Sequence, residues 1–225
     1  MNSYSPEELL ACTIARLVAD AGHIAVGAAS PIPATAAFLL KAKNPQLRVS
    51  LLHKRDANPF TEGSRELFDL AGQGRIDVFF LGGAQIDGKA NINLVQAEGK
   101  RFPGSFGSAF MYPVIPRTVL FREEHSRRVL VPKVEFVSAR GNPVALLTSK
   151  ALFVWQEDRR RFRLESVHPG SSAEEVRDCT GFAYDVAKDL AETVAPSRQE
   201  LRLIRDEVKE EIAANYPEFA RRVWH

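Results

Sequence analysis

The sequence predicts an α/β protein with an open, parallel-rich sheet that carries helices on both faces. Through residues 5–83, short apolar runs alternate with segments whose apolar residues recur at helical spacing. This alternation is typical of parallel strands joined by helices. The 225 residues are 45% hydrophobic, enough to bury a sizeable core. No internal repeat, low-complexity segment or linker divides the sequence, so one domain over residues 1–225 is expected.

The first half of the chain contains three expected helices and three expected strands. Ser5 can cap free backbone N–H groups, Pro6 fits a first helical turn, and the two glutamates that follow favour the positive end of the helix dipole. This helix is expected to continue to about Ala21. The next elements are a strand at 23–29, a helix within 30–44, a strand at 47–53, a helix at 61–74 and a strand at 76–83.

The second half changes to short β-rich runs before a terminal helix. The runs are 117–123, 127–139, 144–156 and 160–170, and the amphipathic helix is expected within 197–216. The arginine-rich stretch 158–163 could be taken for a nucleic-acid patch. We interpret it as a solvated turn and edge strand, because charge on an edge discourages unwanted strand pairing.

Composition excludes several classes of function. Lys+Arg (30) and Asp+Glu (28) nearly cancel to a net charge of +2, which gives no general reason to bind nucleic acid or an anionic membrane. Cys12 and Cys179 lack CxxC spacing and companion histidines, so reduced thiols and no metal site are expected. No run approaches the roughly 20 apolar residues of a spanning helix, and the N-terminus has no signal-peptide pattern. A cytoplasmic location is therefore expected.

A polar stretch, GGAQIDGKANIN (82–93), follows the third apolar strand. Parallel sheets place ligands at the carboxyl ends of their strands, so its side chains are candidates for ligand contact. The alternative is that Asp87-Gly88 forms a tight turn and the amides satisfy their own loop, and spacing alone favours this alternative. The candidate residues are Gln85, Asp87, Asn91 and Asn93.

A second loop, KRFPGSFGSAF (100–110), combines two cations with small residues. Small residues can leave several N–H groups free to hold an anion or an oxyanion. The loop has neither a Walker ending nor the GxGxxG spacing, so the pattern alone is weak. Its candidate residues are Gly104, Ser105, Gly107 and Ser108. By contrast, His168 precedes Pro-Gly and is interpreted as a turn residue rather than a general base.

Four stretches together resemble the β-type subunit of family I CoA-transferases. They are GRIDVFFLGGAQIDGKANIN, FPGSFGSAF, VEFV and ESVHPGSSAEEVRDCTGF. Within the family, the chain is most similar to the glutaconate branch and its steroid-ring-degrading CoA-hydrolase relatives. The resemblance implies an α/β fold, an active site shared with a homologous α-type subunit, and an acyl-CoA substrate. It also implies coenzyme A as co-substrate with no permanently bound cofactor.

The resemblance implies roles for specific residues, and the chain departs from the family pattern at two places. It implies binding roles for the candidate residues of both loops. A transferase of this family forms an anhydride and then a CoA thioester on a glutamate that follows the second strand. Here that strand ends in VSLLHKRDAN, with His53 near the expected place, and Glu62 is interpreted as a first-turn acid of the next helix. The second loop also carries Phe106 where the family usually has glycine.

Three explanations of the missing glutamate stay open. In the first, the chain belongs to an acyl-CoA:carboxylate CoA-transferase acting on a small or dicarboxylic acyl-CoA, with the acting glutamate placed elsewhere. In the second, its complex is an acyl-CoA hydrolase or ring-opening enzyme whose glutamate lies on the α-type subunit. In the third, the chain is a non-catalytic structural partner.

Overall fold

The computed structural model describes residues 4–54 and 60–224, and its main feature is one eight-stranded sheet. In the order in which they lie side by side, the strands are β12 (Asp185–Glu192), β11 (Arg161–Val167), β10 (Ala151–Gln156), β9 (Ala145–Thr148), β8 (Arg117–Arg122), β3 (Val78–Leu81), β1 (His23–Val26) and β2 (Arg48–Leu51). The five from β9 to β2 are parallel to one another. Strand β10 is antiparallel to both neighbours, and β11 and β12 are parallel to each other. The predicted parallel-rich sheet is confirmed.

Four short strands form two separate hairpins between β3 and β8. The first pairs β4 (Gln85–Ile86) with β5 (Ile92–Asn93), and the second pairs β6 (Gln96–Ala97) with β7 (Lys100–Arg101). The helices are α1 (Pro6–Leu17), α2 (Pro31–Lys43), α3 (Ser64–Gly72), α4 (Ser108–Val114), α5 (Ala173–Cys179), α6 (Arg198–Leu203), α7 (Lys209–Asn215) and α8 (Pro217–Trp224). A π-helical turn, Ile204–Val208, joins α6 to α7.

Helices cover both faces of the sheet, as predicted. Along β1, Ile24 and Val26 face one core, which contains α1, α2 and the C-terminal helices. Ala25 faces the other core, which contains α3, α4 and α5. All four residues of β1 are buried, as are all four of β3, because these strands are covered on both sides.

Two expectations about the second half are wrong. The segment 127–139 forms only isolated bridges, from Leu130 to Ile86 and from Ala139 to Ile92. It runs beside the 82–93 loop, and its Pro132 has no N–H to donate to a ladder. Strand β11 is not an edge, because β12 pairs with it. The sequence of β12 mixes charged and apolar residues and leaves most of them exposed or half-buried, so it carries no apolar signal.

The element boundaries differ from the expected ones by a few residues. Helix α1 ends at Leu17 rather than near Ala21, because the N–H of Ala21 closes a turn on the carbonyl of Val18 at 3.1 Å. In the part of the chain that the structure describes, no helix is long and apolar enough to cross a membrane.

A candidate active site at the carboxyl ends of the strands

The carboxyl ends of β1, β3 and β8 border a cleft of about 430 Å³. Strand β2 lies on one side of β1 and β3 on the other, so the chain reverses its direction of sheet growth here. Open α/β sheets bind ligands at such a switch point. The first turn of α2 closes the cleft on one side. This is the edge of the sheet at which the sequence predicts ligand binding.

Close approach of β3 and β8 shapes the floor of the cleft. Gly82 follows β3, and a Cβ at this position would lie 2.9 Å from the backbone oxygen of Phe121. Only glycine fits without a shift of one strand. Phe80, Leu81 and Phe121 also line the cleft. The side chains of Phe80 and Phe121 belong to the core of α1 and α2, and that of Leu81 to the core on the other face of the sheet.

Three polar residues of the cleft have groups that can bind a ligand or take part in a reaction. Ser30 is the N-cap of α2 but makes no side-chain capping bond, so its hydroxyl is not used by the helix. The Nε of Arg122 is buried and has no hydrogen-bond partner within residues 4–54 and 60–224. Glu123 is exposed at the end of β8. The helix N-terminus and the guanidinium favour an anionic group in the cleft, and Glu123 offers a carboxylate beside it.

Glu124 is a neighbour with a different role. Its carboxylate accepts hydrogen bonds from Ser126 at 2.7 Å and from Arg128, and these bonds lower its pKa. The nearest guanidinium nitrogen of Arg122 lies 3.7 Å away. Glu124 is therefore an ionised residue that holds the surrounding loop, and Glu123 is the freer of the two carboxylates.

The predicted residues Gln85 and Asn93 face each other across the β4–β5 hairpin. Asn93 donates to the side-chain oxygen of Gln85 at 2.9 Å and to the carbonyl of Gln96 at 2.5 Å. Gln85 donates to the carboxylate of Glu135 at 2.7 Å and accepts the N–H of that residue at 3.0 Å. Both side chains are buried and fix the loop to the segment 127–139.

Asp87 and Asn91 organise the tip of the same hairpin. The buried carboxylate of Asp87 accepts the N–H groups of Lys89 at 2.9 Å, Asn91 at 3.1 Å and Val134 at 3.3 Å. It also accepts the side-chain amide of Asn91 at 3.0 Å, and Asn91 in turn accepts from Arg140 at 3.2 Å. This is the tight-turn arrangement that spacing favoured, and none of the four predicted side chains of the loop lines the cleft.

The glycine-rich loop lies against α3. Gly107 leaves room for the ring of Phe68, which a Cβ at that position would overlap. Gly104 has a φ of 116°, open to glycine alone among common residues. Ser105 accepts the N–H of Ser108 through its carbonyl at 2.9 Å, and Ser108 is buried at the start of α4.

Phe106, which replaces the family's usual glycine, also has a positive φ, of 41°. Its ring is 66% exposed and packs 5.7 Å from that of Phe68. The loop therefore presents an aromatic side chain to solvent. The cleft at the strand ends is lined by other residues.

His53 lies at the carboxyl end of β2 and is exposed. Its ring packs against Tyr216 with centroids 5.2 Å apart, and the neighbouring Lys54 lies 3.9 Å from Glu211. Both side chains are thus turned toward the C-terminal helices. The rest of the HKRDAN turn lies outside the described residues.

Two other histidines are structural. His125 bonds to the hydroxyls of Thr148 at 2.7 Å and Thr180 at 3.0 Å, and His168 bonds to Thr193 at 2.7 Å and to the carbonyl of Thr148 at 2.9 Å. Burial lowers the pKa of both imidazoles to about 4, so they are neutral at pH 7. His168 is a buried residue that follows β11.

Sequence reasoning missed Ser30, Arg122 and Glu123. Each directly follows a predicted strand or lies at its end, and this position was the one feature of the sequence that could have identified them as site residues. What the sequence did not show is that β8, far along the chain, lies beside β3. Among residues 4–54 and 60–224, no group of three or more His, Cys, Asp or Glu is placed to hold a metal ion.

Comparison with known proteins gives consistent matches. No protein-family model matches the chain. The chain is 28% identical to the B-type component of the 3-oxoadipate CoA-transferase of Pseudomonas knackmussii, over 91% of this chain and 94% of that protein. It is 29% identical to the B-type component of the glutaconate CoA-transferase of Acidaminococcus fermentans, over 58% of this chain and 56% of that one. A solved structure of the decarboxylase AibA/AibB matches with a TM-score of 0.80 and 29% identity, covering 90% of this chain and 94% of that chain.

Proposed function

We propose that this chain is a β-type subunit of the CoA-transferase family and that it forms an acyl-CoA:carboxylate CoA-transferase together with a homologous α-type subunit. The substrate class is a small or dicarboxylic acyl-CoA, and coenzyme A is a co-substrate rather than a permanently bound cofactor. The observation that carries the proposal is the cleft at the strand ends, where an exposed carboxylate and an unpaired guanidinium Nε meet on a fold of this family.

The polar groups of the cleft suit a thioester substrate that bears a carboxylate. Arg122 is proposed to hold the free carboxylate of a dicarboxylic acyl group, because its buried Nε gains a partner only when an anion enters. Ser30 is proposed to donate to the thioester carbonyl from the positive end of α2.

Transfer requires a carboxylate nucleophile, and Glu123 is the proposed one on this chain. One of its oxygens would attack the thioester carbonyl, the C–S bond would break and CoA would leave as a thiolate. The thiolate would then attack the glutamyl carbonyl of the resulting anhydride, which releases the acyl group as a carboxylate and leaves a glutamyl-CoA thioester. An incoming carboxylate reverses these steps and departs as the new acyl-CoA.

The residues predicted from sequence are proposed to support this site. Gln85, Asp87, Asn91 and Asn93 would shape the loop that follows β3, and Gly104, Ser105, Gly107 and Ser108 the loop before α4, both toward the bound CoA. His53 stands where the family's glutamate is expected. Its exposed imidazole packs beside Tyr216 and is proposed as a base toward water, outside the transfer steps above. We further propose one domain over residues 1–225, supported by a sheet that runs from β1 to β12, and a cytoplasmic location.

A second reading follows from one observation. The described part of the β2 turn carries His53 and Lys54 but no carboxylate, and a protein of the same fold with 29% identity is a decarboxylase. The fold therefore also occurs in an enzyme that is not a transferase, and our second candidate is hydrolysis or ring opening with a glutamate of the α-type subunit. In that case this chain would bind the substrate, or act as a structural partner only.

The test is the mass of each subunit after reaction. The complex purified from its native cells is incubated with a panel of small and dicarboxylic acyl-CoA thioesters, and each subunit is weighed intact by mass spectrometry. We expect an adduct with the mass of CoA on this chain. Glu123→Gln should abolish the adduct and lower kcat at least 100-fold, because the amide cannot form the anhydride.

Glu62→Gln is the matched control, since Glu62 is an exposed glutamate before α3. It should leave both readouts unchanged. An adduct on the α-type subunit, with full activity of Glu123→Gln, would establish the second reading. A chain that co-purifies with no partner and turns over no acyl-CoA would refute both.

A further inference from the structure

A separate pocket, of about 520 Å³, lies at the open edge of the sheet, where β2 is the last strand. Its lining includes Ser50 of β2 together with His23, Arg48 and Arg75. His23 and Arg48 begin their strands and Arg75 precedes β3, so the pocket lies toward the amino ends of these strands. It shares no lining residue with the cleft at the carboxyl ends. The pocket is therefore distinct from the cleft.

A serine and a histidine are hydrogen-bonded to each other in this pocket. The Oγ of Ser50 lies 2.9 Å from Nε2 of His23, and Nδ1 of His23 lies 2.9 Å from the carbonyl oxygen of Arg75. A carbonyl only accepts, so Nδ1 carries the proton of the neutral ring and Nε2 is an acceptor. The hydroxyl of Ser50 therefore donates to Nε2. A hydroxyl, a base and a third group that orients the base form the arrangement of an activated nucleophile.

The surroundings keep His23 neutral. Burial is the largest influence and lowers its pKa, and the guanidinium groups of Arg48 and Arg75 also lower it. The hydrogen bond to the Arg75 carbonyl and the carboxylate of Asp77 act in the opposite direction, but the pKa stays below its ordinary value of 6.5. Ser50 is 2% and His23 7% exposed, so little bulk water reaches the pair. A neutral imidazole can take a proton from the hydroxyl at pH 7.

Positive charge surrounds the pair. Lys41, Arg48 and Arg75 line the pocket and are exposed. Within residues 4–54 and 60–224, no carboxylate oxygen lies within 4.0 Å of their charged nitrogens. The carboxylate of the lining, that of Glu66, already accepts three hydrogen bonds from the segment before α3. An anionic ligand in the pocket would thus meet three cations that have no ion-pair partner among the described residues.

The edge of β2 offers a donor for a developing oxyanion. The N–H groups of Arg48 and Leu52 donate to the carbonyls of Gly22 and Val26, along β1. Successive N–H groups of a strand point to opposite sides, so the N–H of Val49 faces the open edge. Val49 also lines the pocket. Its N–H lies on the same side as the cations, where it can stabilise negative charge on a substrate oxygen.

From these features we infer that the pocket is a catalytic site that hydrolyses a small carboxylic ester bearing an anionic group. The Oγ of Ser50 attacks the ester carbonyl carbon while its proton moves to Nε2 of His23. The C–O bond to the leaving group breaks, the leaving alcohol takes that proton, and the acyl group stays on Ser50. Water then gives a proton to His23 and attacks the acyl-serine, which releases the carboxylic acid and restores the hydroxyl. This reaction does not depend on the proposed function.

The first test is covalent labelling of the full chain, in the complex that it forms, with a fluorophosphonate. Ser50 should displace fluoride and gain the phosphonyl group, and peptide mass mapping of the parent protein should find the group on this residue. His23→Asn should slow the labelling about 100-fold, because asparagine can keep the hydrogen bond to the Arg75 carbonyl but places no base at Nε2. Ser149→Ala is the matched control, since Ser149 is an exposed serine after β9, and it should change nothing.

The second test is hydrolysis of para-acetoxybenzoate, an anionic ester, and of para-acetoxybenzamide, its neutral counterpart. We expect a higher kcat/KM for the anion, and the preference should shrink as salt rises and in the double variant R48Q/R75Q. Arg65→Gln, which removes an exposed arginine of α3 outside the pocket, should keep the preference. The rate should fall in acid with a midpoint below pH 6.5, because the reaction needs neutral His23.

The inference is wrong if the parent protein carries no label on Ser50, or if Ser50→Ala hydrolyses the anionic ester as fast as the parent. Lower stability of Ser50→Ala without any labelling of the parent would show that the Ser50–His23 hydrogen bond is structural only. Ester hydrolysis that persists in Ser50→Ala and is lost in Glu123→Gln would assign the activity to the cleft instead. Labelling and ester hydrolysis by a complex that turns over no acyl-CoA would uphold this inference and count against the proposed function alone.

Discussion

Two buried glutamates show, at the scale of single residues, how the termini are joined. Glu8 caps α1 together with Ser5, and it pairs with Arg205 of the π-helical turn at 2.7 Å. Glu200 caps α6 with its own serine, and it pairs with Arg16 of α1 at 2.7 Å. Each helix thus begins with a glutamate that the other end of the chain neutralises. Both helix starts have the capping-box spacing, serine followed by glutamate three residues later, whereas the cross pairing depends on the fold.

We predict that Glu200 stabilises the protein against acid. Burial raises its pKa, but hydrogen bonds from Arg16 and Ser197 outweigh burial and lower the pKa to about 2. A depressed folded-state pKa gives stability that is present above the ordinary value near 4.5 and is lost as pH falls toward 2. Glu200→Gln should lower the free energy of unfolding by about 3 kcal/mol at pH 7.

The measurement is urea unfolding of parent and variant from pH 7 down to pH 3, where their difference should shrink. Glu207→Gln is the control, since Glu207 is exposed in the π-helical turn. A difference between parent and Glu200→Gln that stays constant over the whole pH range would contradict the ionised pair.

We predict that Gly107 is required because a larger side chain would not fit there. Its backbone conformation does not require glycine, since its φ is negative. A Cβ at this position would overlap the ring of Phe68, so Gly107→Ala should cost about 2 kcal/mol of stability by overpacking. Adding Phe68→Leu should recover part of the loss. Thermal unfolding of the two variants and of Gly72→Ala checks this. At Gly72 the nearest atom to a new Cβ is 3.4 Å away, so that change should be neutral.

At the scale of elements, local signals predicted more than half of the sheet. Helices α1, α2 and α3 and strands β1, β2 and β3 have caps, periodic apolar residues or apolar runs, so each was placed to within a few residues. Strand β12 was not predicted, because its pairing with β11 is long-range and its residues are mainly exposed or half-buried. The same limit applies to the site. The sequence predicted that ligands bind at the carboxyl ends of the strands. It did not predict that Arg122 and Ser30 line the same cleft, because that depends on the order of the strands in the sheet.

One carboxylate, that of Asp87, holds the β4–β5 hairpin. We predict that removing it lowers stability before it affects any ligand contact. Asp87 is 1% exposed and accepts four hydrogen bonds. Asp87→Ala leaves buried donors without partners and should lower the free energy of unfolding by about 2 to 4 kcal/mol. Asp189→Ala, at an exposed position of β12, is the control.

Hydrogen exchange separates this structural role from a direct binding role. If the prediction holds, amide protection in residues 84–93 falls in Asp87→Ala even without substrate. Unchanged protection and stability, together with lost activity, would show instead that Asp87 acts on the substrate.

At the scale of the whole molecule, exposed apolar side chains mark a surface on which the proposed α-type subunit would dock. Phe106 and Phe110 both pack on Phe68, at 5.7 and 5.9 Å, yet they are 66% and 44% exposed. Phe102 and Val114 extend the same stretch of chain and are also exposed. Large exposed apolar side chains grouped on one surface are typical of an interface. The α-type subunit is the occupant that the proposed function requires.

We therefore predict that the double variant F106S/F110S weakens the heteromer at least 30-fold, the equivalent of about 2 kcal/mol for lost interface anchors. The variant chain itself should fold, because the two side chains are 66% and 44% exposed. Native mass spectrometry over a dilution series gives the dissociation constant. Val194→Ser removes an equally exposed apolar group, 70% exposed and next to β12, and should leave it unchanged. The opposite pattern, with Val194→Ser disruptive and F106S/F110S silent, would move the interface to the β12 edge of the sheet.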